Sequence, residues 1–130
     1  TTDTAYRIRT LKGTSVEQLV GCFYNGLTAL SAELEGRHYG GGVLELVPSE
    51  IEKLVLPLPT KGHIDLRELD RQIRSPMSAQ DVLEANSRVV LGGLGLSRAK
   101  QDCILHGWVR LRNRRHRTTS EEKVEASEAA

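Results

Sequence analysis

The sequence of 130 residues holds few of the side chains that usually perform chemistry. Its two cysteines, Cys22 and Cys103, have no second cysteine or histidine at metal-site spacing, so we expect two reduced, buried structural thiols. The four histidines are equally scattered and form no zinc motif. A Gly-x-Ser-x-Gly motif is missing, and paired acids such as Glu33 and Glu35 are typical of solvated faces. The sequence therefore argues against a metal site or a small hydrolase.

Long apolar runs are also missing from this chain. A helix that spans a bilayer needs about 20 apolar residues, and no segment approaches that length. Residues 1–10 lack the apolar core of a secretory signal, so we expect a cytoplasmic protein without a membrane partner. The chain starts without methionine and contains only Met77, so we expect a fragment of a longer protein.

The charge of the chain is unevenly distributed. Residues 118–130 hold four glutamates and one lysine, whereas the first 117 residues carry 17 basic against 13 acidic groups. The length suits one domain with one modest core. We predict a single domain over residues 1–117 and a disordered acidic tail, or a frayed helix, over 118–130.

An arginine cluster precedes that tail. Residues 108–117 contain five arginines and no acid, namely Arg110, Arg112, Arg114, Arg115 and Arg117. One interpretation is a segment that faces nucleic acid. The other is a helix C-terminus, where the helix dipole favours positive side chains without any ligand. Trp108 is the only aromatic residue in this segment, and this scarcity of aromatic side chains argues against a platform for stacking single-stranded bases.

The periodicity of apolar residues predicts an α+β fold in which helix is in the majority. We expect one long amphipathic helix over residues 16–34 that ends at Gly36, followed by shorter helices that start after Pro48, Asp65, Ser78 and Ser97. Alternation predicts short strands at 6–11 and 43–47. Residues 55–59, which contain two prolines, are predicted to be extended.

Three consecutive glycines, Gly40–Gly42, follow the predicted long helix. Ordering them costs more backbone entropy than ordering almost any other triplet, so a geometric requirement must offset that cost. In one interpretation the glycines cap the helix and reverse the chain. In the other the backbone approaches a ligand, and the preceding Arg37, His38 and Tyr39 supply charge, hydrogen bonds and a stacking face.

Nucleotide-binding motifs do not account for the glycines. The run at Gly40–Gly42 has the wrong spacing for a dinucleotide site and follows a helix, where that motif follows a strand. The run over residues 92–97 lies between two predicted helices, and no Walker lysine follows either run.

The order of residues 23–59 resembles the C-terminal part of adenine-specific DNA methyltransferases of restriction–modification systems. The similarity consists of a helix that starts at Asn25, the glycine-rich turn, a short strand, the "PSE" turn at residues 48–50 and the closing "PLP" at 57–59. Similar segments end target-recognition domains and occur in type I specificity subunits. The family's catalytic Asn/Asp-Pro-Pro-aromatic motif is absent, so these residues alone do not methylate DNA.

This resemblance implies a function in recognition. It implies a non-catalytic C-terminal domain that helps to bind double-stranded DNA and to recognise the target, with the catalytic domain of the same chain as its partner. No cofactor is expected in these residues, and S-adenosylmethionine is expected in the full-length enzyme. The implied DNA-facing residues are Arg37, His38, Tyr39, Gly40, Gly41, Gly42 and Lys61, with His63 nearby.

A helical docking module without DNA contact is the alternative. Phe23, Tyr24, Leu27 and Leu30 cover more than one face of the predicted long helix, so removal of an upstream domain is expected to expose some of them. We therefore also expect an isolated fragment to form a homodimer.

Overall fold

A computed structural model of the chain describes residues 5–61 and 64–129. The described part contains six helices and one antiparallel pair of strands. The helices are α1 Val16–Phe23, α2 Gly26–Glu35, α3 Pro48–Ile51, α4 Leu66–Arg74, α5 Ala79–Gly93 and α6 Arg98–Glu128, and the strands are β1 Arg37–Tyr39 and β2 Val43–Glu45. The mostly helical α+β prediction is confirmed. None of the described helices combines the length and hydropathy that crossing a membrane requires.

Short polar side chains begin four of the helices, as predicted. Ser15, Ser78 and Ser97 each accept a hydrogen bond from the backbone N–H three residues further on, and Asp65 accepts two such bonds at the start of α4. These bonds satisfy N–H groups that have no partner inside the first helical turn.

The predicted long helix over residues 16–34 is wrong, because the structure divides it into α1 and α2. Asn25 at the break is extended, and its Oδ1 accepts hydrogen bonds from the N–H groups of Leu27 and Thr28 at 2.9 and 3.1 Å. Asn86 of α5 donates to the carbonyl of Tyr24 at 2.7 Å. The buried Asn25 therefore acts as an N-cap, and a long-range bond satisfies the carbonyl that the break leaves open.

Gly26 lets the start of α2 approach both α5 and α6. Its N–H donates to Ser87 Oγ at 2.8 Å, and a Cβ at this position would lie 2.7 Å from Leu105 Cδ2. A side chain at position 26 would therefore require the buried Leu105 side chain to move.

The core lies where α2 packs against α5 and α6, with α4 against α5. Its buried apolar side chains are Cys22, Leu69, Val82, Leu83, Val90, Leu91 and Leu105. A matching set of polar side chains is buried too, namely Asn25, Thr28, Ser31, Glu33, Asn86, Ser87 and Gln101. Each buried polar group needs a partner, so hydrogen bonds specify how these helices meet.

Residues 54–59 belong to no helix or strand and are fastened to α2. Thr28 Oγ1 donates to the carbonyl of Val55 at 2.8 Å, and the N–H of Val55 donates to Ser31 Oγ at 3.1 Å. The proline-rich segment therefore lies along α2. It is not helical, in agreement with the extended segment predicted for residues 55–59.

Two strand predictions need correction. Residues 6–11 form no strand, because the described residues offer that segment no pairing partner and the one strand ladder joins β1 to β2. Residues 43–47 are a strand only as far as Glu45. The periodicity does not predict β1, since three residues are too few to show an alternating pattern.

The two cysteines lie in different environments. Cys22 is buried as predicted, and burial raises the pKa of its thiol. The prediction of burial is wrong for Cys103, which is exposed because α6 packs through the other face, which includes Leu105. Both are free thiols.

The last part of α6 passes through the predicted acidic tail. The backbone is helical as far as Glu128, as in the frayed-helix alternative. Disorder of residues 118–130 in solution stays a prediction.

Candidate nucleic-acid interface

The glycine run is the turn of a β-hairpin. β1 and β2 pair in register from Arg37 opposite Glu45 to Tyr39 opposite Val43, which leaves Gly40–Gly42 as the connection. Gly41 and Gly42 have φ values of 86° and 73°, in the left-handed region that other residues adopt only at a cost. The predicted reversal by the three glycines is confirmed, but the predicted helix capping is wrong, because β1 lies between them and α2, which ends at Gly36.

Close contact explains the glycine that precedes the hairpin. Gly36 ends α2, and its N–H donates to the carbonyl of Ala32 at 2.9 Å. A Cβ at position 36 would lie 2.7 Å from Leu44 Cδ1. The hairpin therefore folds back tightly against the end of α2.

A buried ion pair holds this hairpin on two helices, and it shows that the solvated face predicted for Glu33 is wrong. Arg115 of α6 binds both carboxylate oxygens of Glu33 in α2, at 2.7 and 3.1 Å, and its side chain is only 12% exposed. The same guanidinium donates to the carbonyl of Gly42 in the turn. Bidentate pairs of this kind fix orientation as well as distance. Arg115 therefore connects α6, α2 and the glycine turn.

His38 strengthens the same connection from the hairpin side. Its Nε2 lies 3.1 Å from the carbonyl oxygen of Glu33 and 3.6 Å from Glu33 Oε2. The predicted DNA-facing role of His38 thus competes with a contact inside the chain, which positions the first strand.

Arg37 lies on the outside of the hairpin, beside α3. Its Nε donates to Glu50 Oε1 at 2.8 Å, and its side chain stays 56% exposed. The N–H of Val47 and the Arg37 guanidinium together hold the pKa of the Glu50 carboxyl below its usual value. Contact with Glu50 and with the Tyr39 hydroxyl raises the pKa of Arg37, which keeps it cationic.

The tip of the hairpin faces solvent. Tyr39 is 50% exposed, Gly40 and Gly41 are exposed, and Gly42 is buried beneath them. Five of the predicted residues, Arg37–Gly41, therefore form one accessible edge of the hairpin.

Lys61 is exposed but lies away from that edge. Its carbonyl contacts Gly93 at the end of α5, next to the start of α6, whereas the hairpin is bound at Arg115. At a rise of 1.5 Å per residue, the start of α6 at Arg98 and the hairpin contact at Arg115 are about 25 Å apart along the helix. His63 lies outside the described residues.

The arginine cluster does not lie at a helix C-terminus, so the helix-dipole interpretation is wrong. α6 continues to Glu128, about three turns beyond Arg117. Arg112 covers the Trp108 ring at 4.8 Å and donates to Gln80 at 2.9 Å, which fastens it to the body of the protein. Arg110, Arg114 and Arg117 are exposed and border a shallow cleft of about 530 Å³.

A second surface feature is a large apolar cleft beside α1. It has a volume of about 970 Å³ and is bordered by α1, α4 and residues 7–10 and 51–56. Val16, Val20 and Phe23 recur at helical spacing along it and are 42–57% exposed. Of the four residues among which exposure was predicted, Phe23 is exposed, whereas Tyr24, Leu27 and Leu30 are half-buried.

The described residues contain no group of three or more His, Cys, Asp or Glu side chains arranged to hold a metal ion.

Comparison with known families gives one result. The family model for the C-terminal domain of the type II methyltransferase M.Eco57I matches residues 1–91. The match spans α1 to α4, the hairpin and most of α5, and it ends before α6. No curated protein and no solved structure matches the chain. This chain belongs to the family of type II methyltransferase C-terminal domains of restriction–modification systems.

Proposed function

We propose that this domain helps a DNA methyltransferase to bind double-stranded DNA and to recognise its target, and that the β1–β2 hairpin is the contacting element. The observation that carries the proposal is an exposed hairpin tip that a buried ion pair fastens to two helices. Preorganised elements lose little conformational entropy when they bind.

The shape of the hairpin suits a duplex. The major groove of B-DNA is about 12 Å wide and admits a two-stranded β-ribbon. β1 and β2 form such a ribbon, and the glycine tip adds no side-chain bulk at its leading end. Side chains that point away from the ribbon can then reach base edges.

Two side chains on this ribbon have the chemistry for contact. Glu50 engages the Nε of Arg37 and the Tyr39 hydroxyl contacts the same side chain, which stays 56% exposed, so we assign its remaining N–H donors to a phosphate or a base edge. Tyr39 presents a half-exposed ring and a hydroxyl. His38 and Gly42 support the turn from beneath, and Lys61 is a separate proposed contact.

The methyl donor belongs to another part of the enzyme in this account. S-adenosylmethionine is expected in the full-length adenine-specific N6-methyltransferase, where it supplies the transferred methyl group. Gly40–Gly42 connects antiparallel strands, whereas Gly92 and Gly93 end α5 and Gly95 lies in the loop before α6. Neither run has the strand–turn–helix geometry of a nucleotide cradle, so we assign the cofactor to the N-terminal catalytic domain.

The apolar cleft favours a second function, docking. Its exposed Val16, Val20 and Phe23 form a stripe of the kind that a partner surface covers. In this alternative the domain packs on the catalytic domain, or on a second copy when isolated, without touching DNA. Docking by itself is also compatible with DNA contact by the hairpin, because the two use different surfaces.

The substitution Tyr39→Ala in the full-length enzyme tests the hairpin proposal. The adenines methylated in cells that express each variant are mapped by single-molecule sequencing. We expect the wild-type enzyme to modify one motif, and Tyr39→Ala to lose or relax it at the positions that the hairpin contacts. Tyr6→Ala is the matched control, since Tyr6 is 47% exposed and lies outside the hairpin.

The result is informative in either direction. An altered motif for Tyr39→Ala with an unchanged motif for Tyr6→Ala supports recognition by the hairpin. An unchanged motif and rate for both variants, together with unchanged values for Arg37→Gln, rejects hairpin recognition and favours docking.

A further inference from the structure

We propose that the exposed arginine face of α6, defined by Arg110, Arg114 and Arg117, is a second DNA contact that binds the phosphate backbone independently of sequence. This inference rests on the proposed function of the domain. It lies outside the part of the chain that the family model matches, which ends at residue 91.

The spacing of the three arginines places them on one side of the helix. They recur at intervals of four and three residues, so they share a face, and all three are exposed. From Arg110 to Arg117 the helix rises by about 10 Å, which equals about three base-pair steps at 3.4 Å per phosphate of one strand. The face therefore has the length to contact about three successive phosphates.

The local charge is strongly positive. Residues 108–117 contain no acidic residue. Arg114 and His116 also interact within the chain, so the proposal depends on the exposure and net charge of the face. Guanidinium groups suit phosphates because their planar fork of N–H donors can bind two oxygens of the tetrahedral phosphate at once.

Another helix shows that arginine spacing alone is not sufficient. Arg67, Arg71 and Arg74 of α4 have the same intervals of four and three residues. There, Glu68 binds Arg71 at 2.7 Å and Asp70 binds Arg74 at 2.9 Å, so neighbouring carboxylates largely neutralise the face. The α4 triplet is thus a control that the chain itself provides.

The arginine face is physically connected to the hairpin. Arg115 follows Arg114 directly and binds both Glu33 and the Gly42 carbonyl. A duplex seated on the hairpin tip is therefore held at a defined position relative to this segment of α6. Backbone contacts of this kind set the register of a protein on DNA, and base contacts then specify the sequence.

The test uses the full-length enzyme and a fluorescent 30-base-pair duplex, with affinity measured by anisotropy from 50 to 200 mM NaCl. Three variants are compared with wild type: R110Q/R114Q/R117Q, the charge-preserving R110K/R114K/R117K, and the control R67Q/R71Q/R74Q. Three lost phosphate contacts reduce the slope of log affinity against log salt by about 2.7. Over this fourfold range, wild-type affinity should fall about 40-fold more than that of the glutamine variant.

The other variants separate charge from folding. The lysine variant should keep most of the slope, and the α4 control should keep the wild-type slope. The loss should be equal for duplexes with and without the target site. An unchanged slope for R110Q/R114Q/R117Q overturns the proposal, as does an equal change in the α4 control.

Failure of this inference differs from failure of the proposed function. If Tyr39→Ala changes the methylated motif while the α6 variant keeps its salt slope, the hairpin proposal stands and the phosphate contact is rejected. If the α6 variant loses affinity only for an acidic protein partner and not for DNA, the phosphate contact is likewise rejected.

Discussion

The buried pair between Glu33 and Arg115 should dominate the stability of the hairpin. The substitution Arg115→Met keeps much of the side-chain volume and removes the charge. It deletes two bonds to the Glu33 carboxylate and one to the Gly42 carbonyl. The Glu33 side chain, which is 2% exposed, then keeps His38 Nε2 at 3.6 Å as its remaining ion-pair neighbour among the described residues.

The expected loss follows from that burial. Breaking a buried pair by removing one partner costs about 3–5 kcal/mol, a large fraction of a total folding free energy of about 5–15 kcal/mol. With a urea m-value of about 2 kcal/mol per molar, the unfolding midpoint should fall by about 1.5–2.5 M. The double variant E33L/R115M should lose much less than the sum of its single changes, because no charge is left buried.

The assay is urea unfolding of the 130-residue chain, followed by far-UV circular dichroism. Arg74→Met is the matched control, since the Arg74–Asp70 pair is exposed on α4 and should be worth no more than about 0.5 kcal/mol. The reasoning is refuted if Arg115→Met destabilises the chain no more than Arg74→Met does. Additive losses in the double variant would also refute it.

Three further predictions concern the rest of the fold. Asn25→Ala removes the α2 cap and a buried amide, so unfolding free energy should fall by about 2–3 kcal/mol in urea titration, and a loss below about 0.5 contradicts this. Ellman's reagent should modify one thiol, Cys103, in the native chain, and Cys22 only after denaturation; two fast thiols contradict the structure. The hydrogen bond from Arg71 lowers the pKa of Glu68 from 4.5 to about 2, so its stabilising contribution is complete above pH 4.5 and is lost as the pH falls towards 2. The stability difference between wild type and Glu68→Gln should shrink over that range, and a difference that grows in acid contradicts the assignment.

Local signals in the sequence were sufficient for much of this fold. A short polar side chain followed by a helical periodicity located the starts of α1, α4, α5 and α6, because capping depends on only four neighbouring residues. The reversal at Gly40–Gly42 was predictable for a similar reason, since the cost of ordering glycine demands a local geometric cause.

Features that depend on distant residues were not predictable. The apolar spacing of residues 16–34 continues through the break at Asn25, which is stabilised from α5 by Asn86. The strand predicted at residues 6–11 fails because alternation does not provide a neighbouring strand. In the first case a tertiary contact overrides the local pattern, and in the second case the tertiary contact that the pattern needs is missing among the described residues.

The candidate site shows the same division. The sequence and its family resemblance predicted the glycine turn and the strand that follows it, but not β1, and the residue that holds the hairpin, Arg115, lies 82 positions from Glu33. No local spacing relates these two residues. The local charge of the arginine cluster suits a helix C-terminus and does not predict that α6 continues to Glu128.

The central claim is that the hairpin tip contacts DNA while the apolar cleft contacts protein. The most direct measurement places a benzophenone amino acid at position 39 or at position 73 of the full-length enzyme and irradiates each with labelled duplex. Ile73 is 54% exposed and borders the cleft. The account predicts a DNA crosslink from position 39 and none from position 73. A DNA crosslink from position 73 alone, or from neither position, would contradict it.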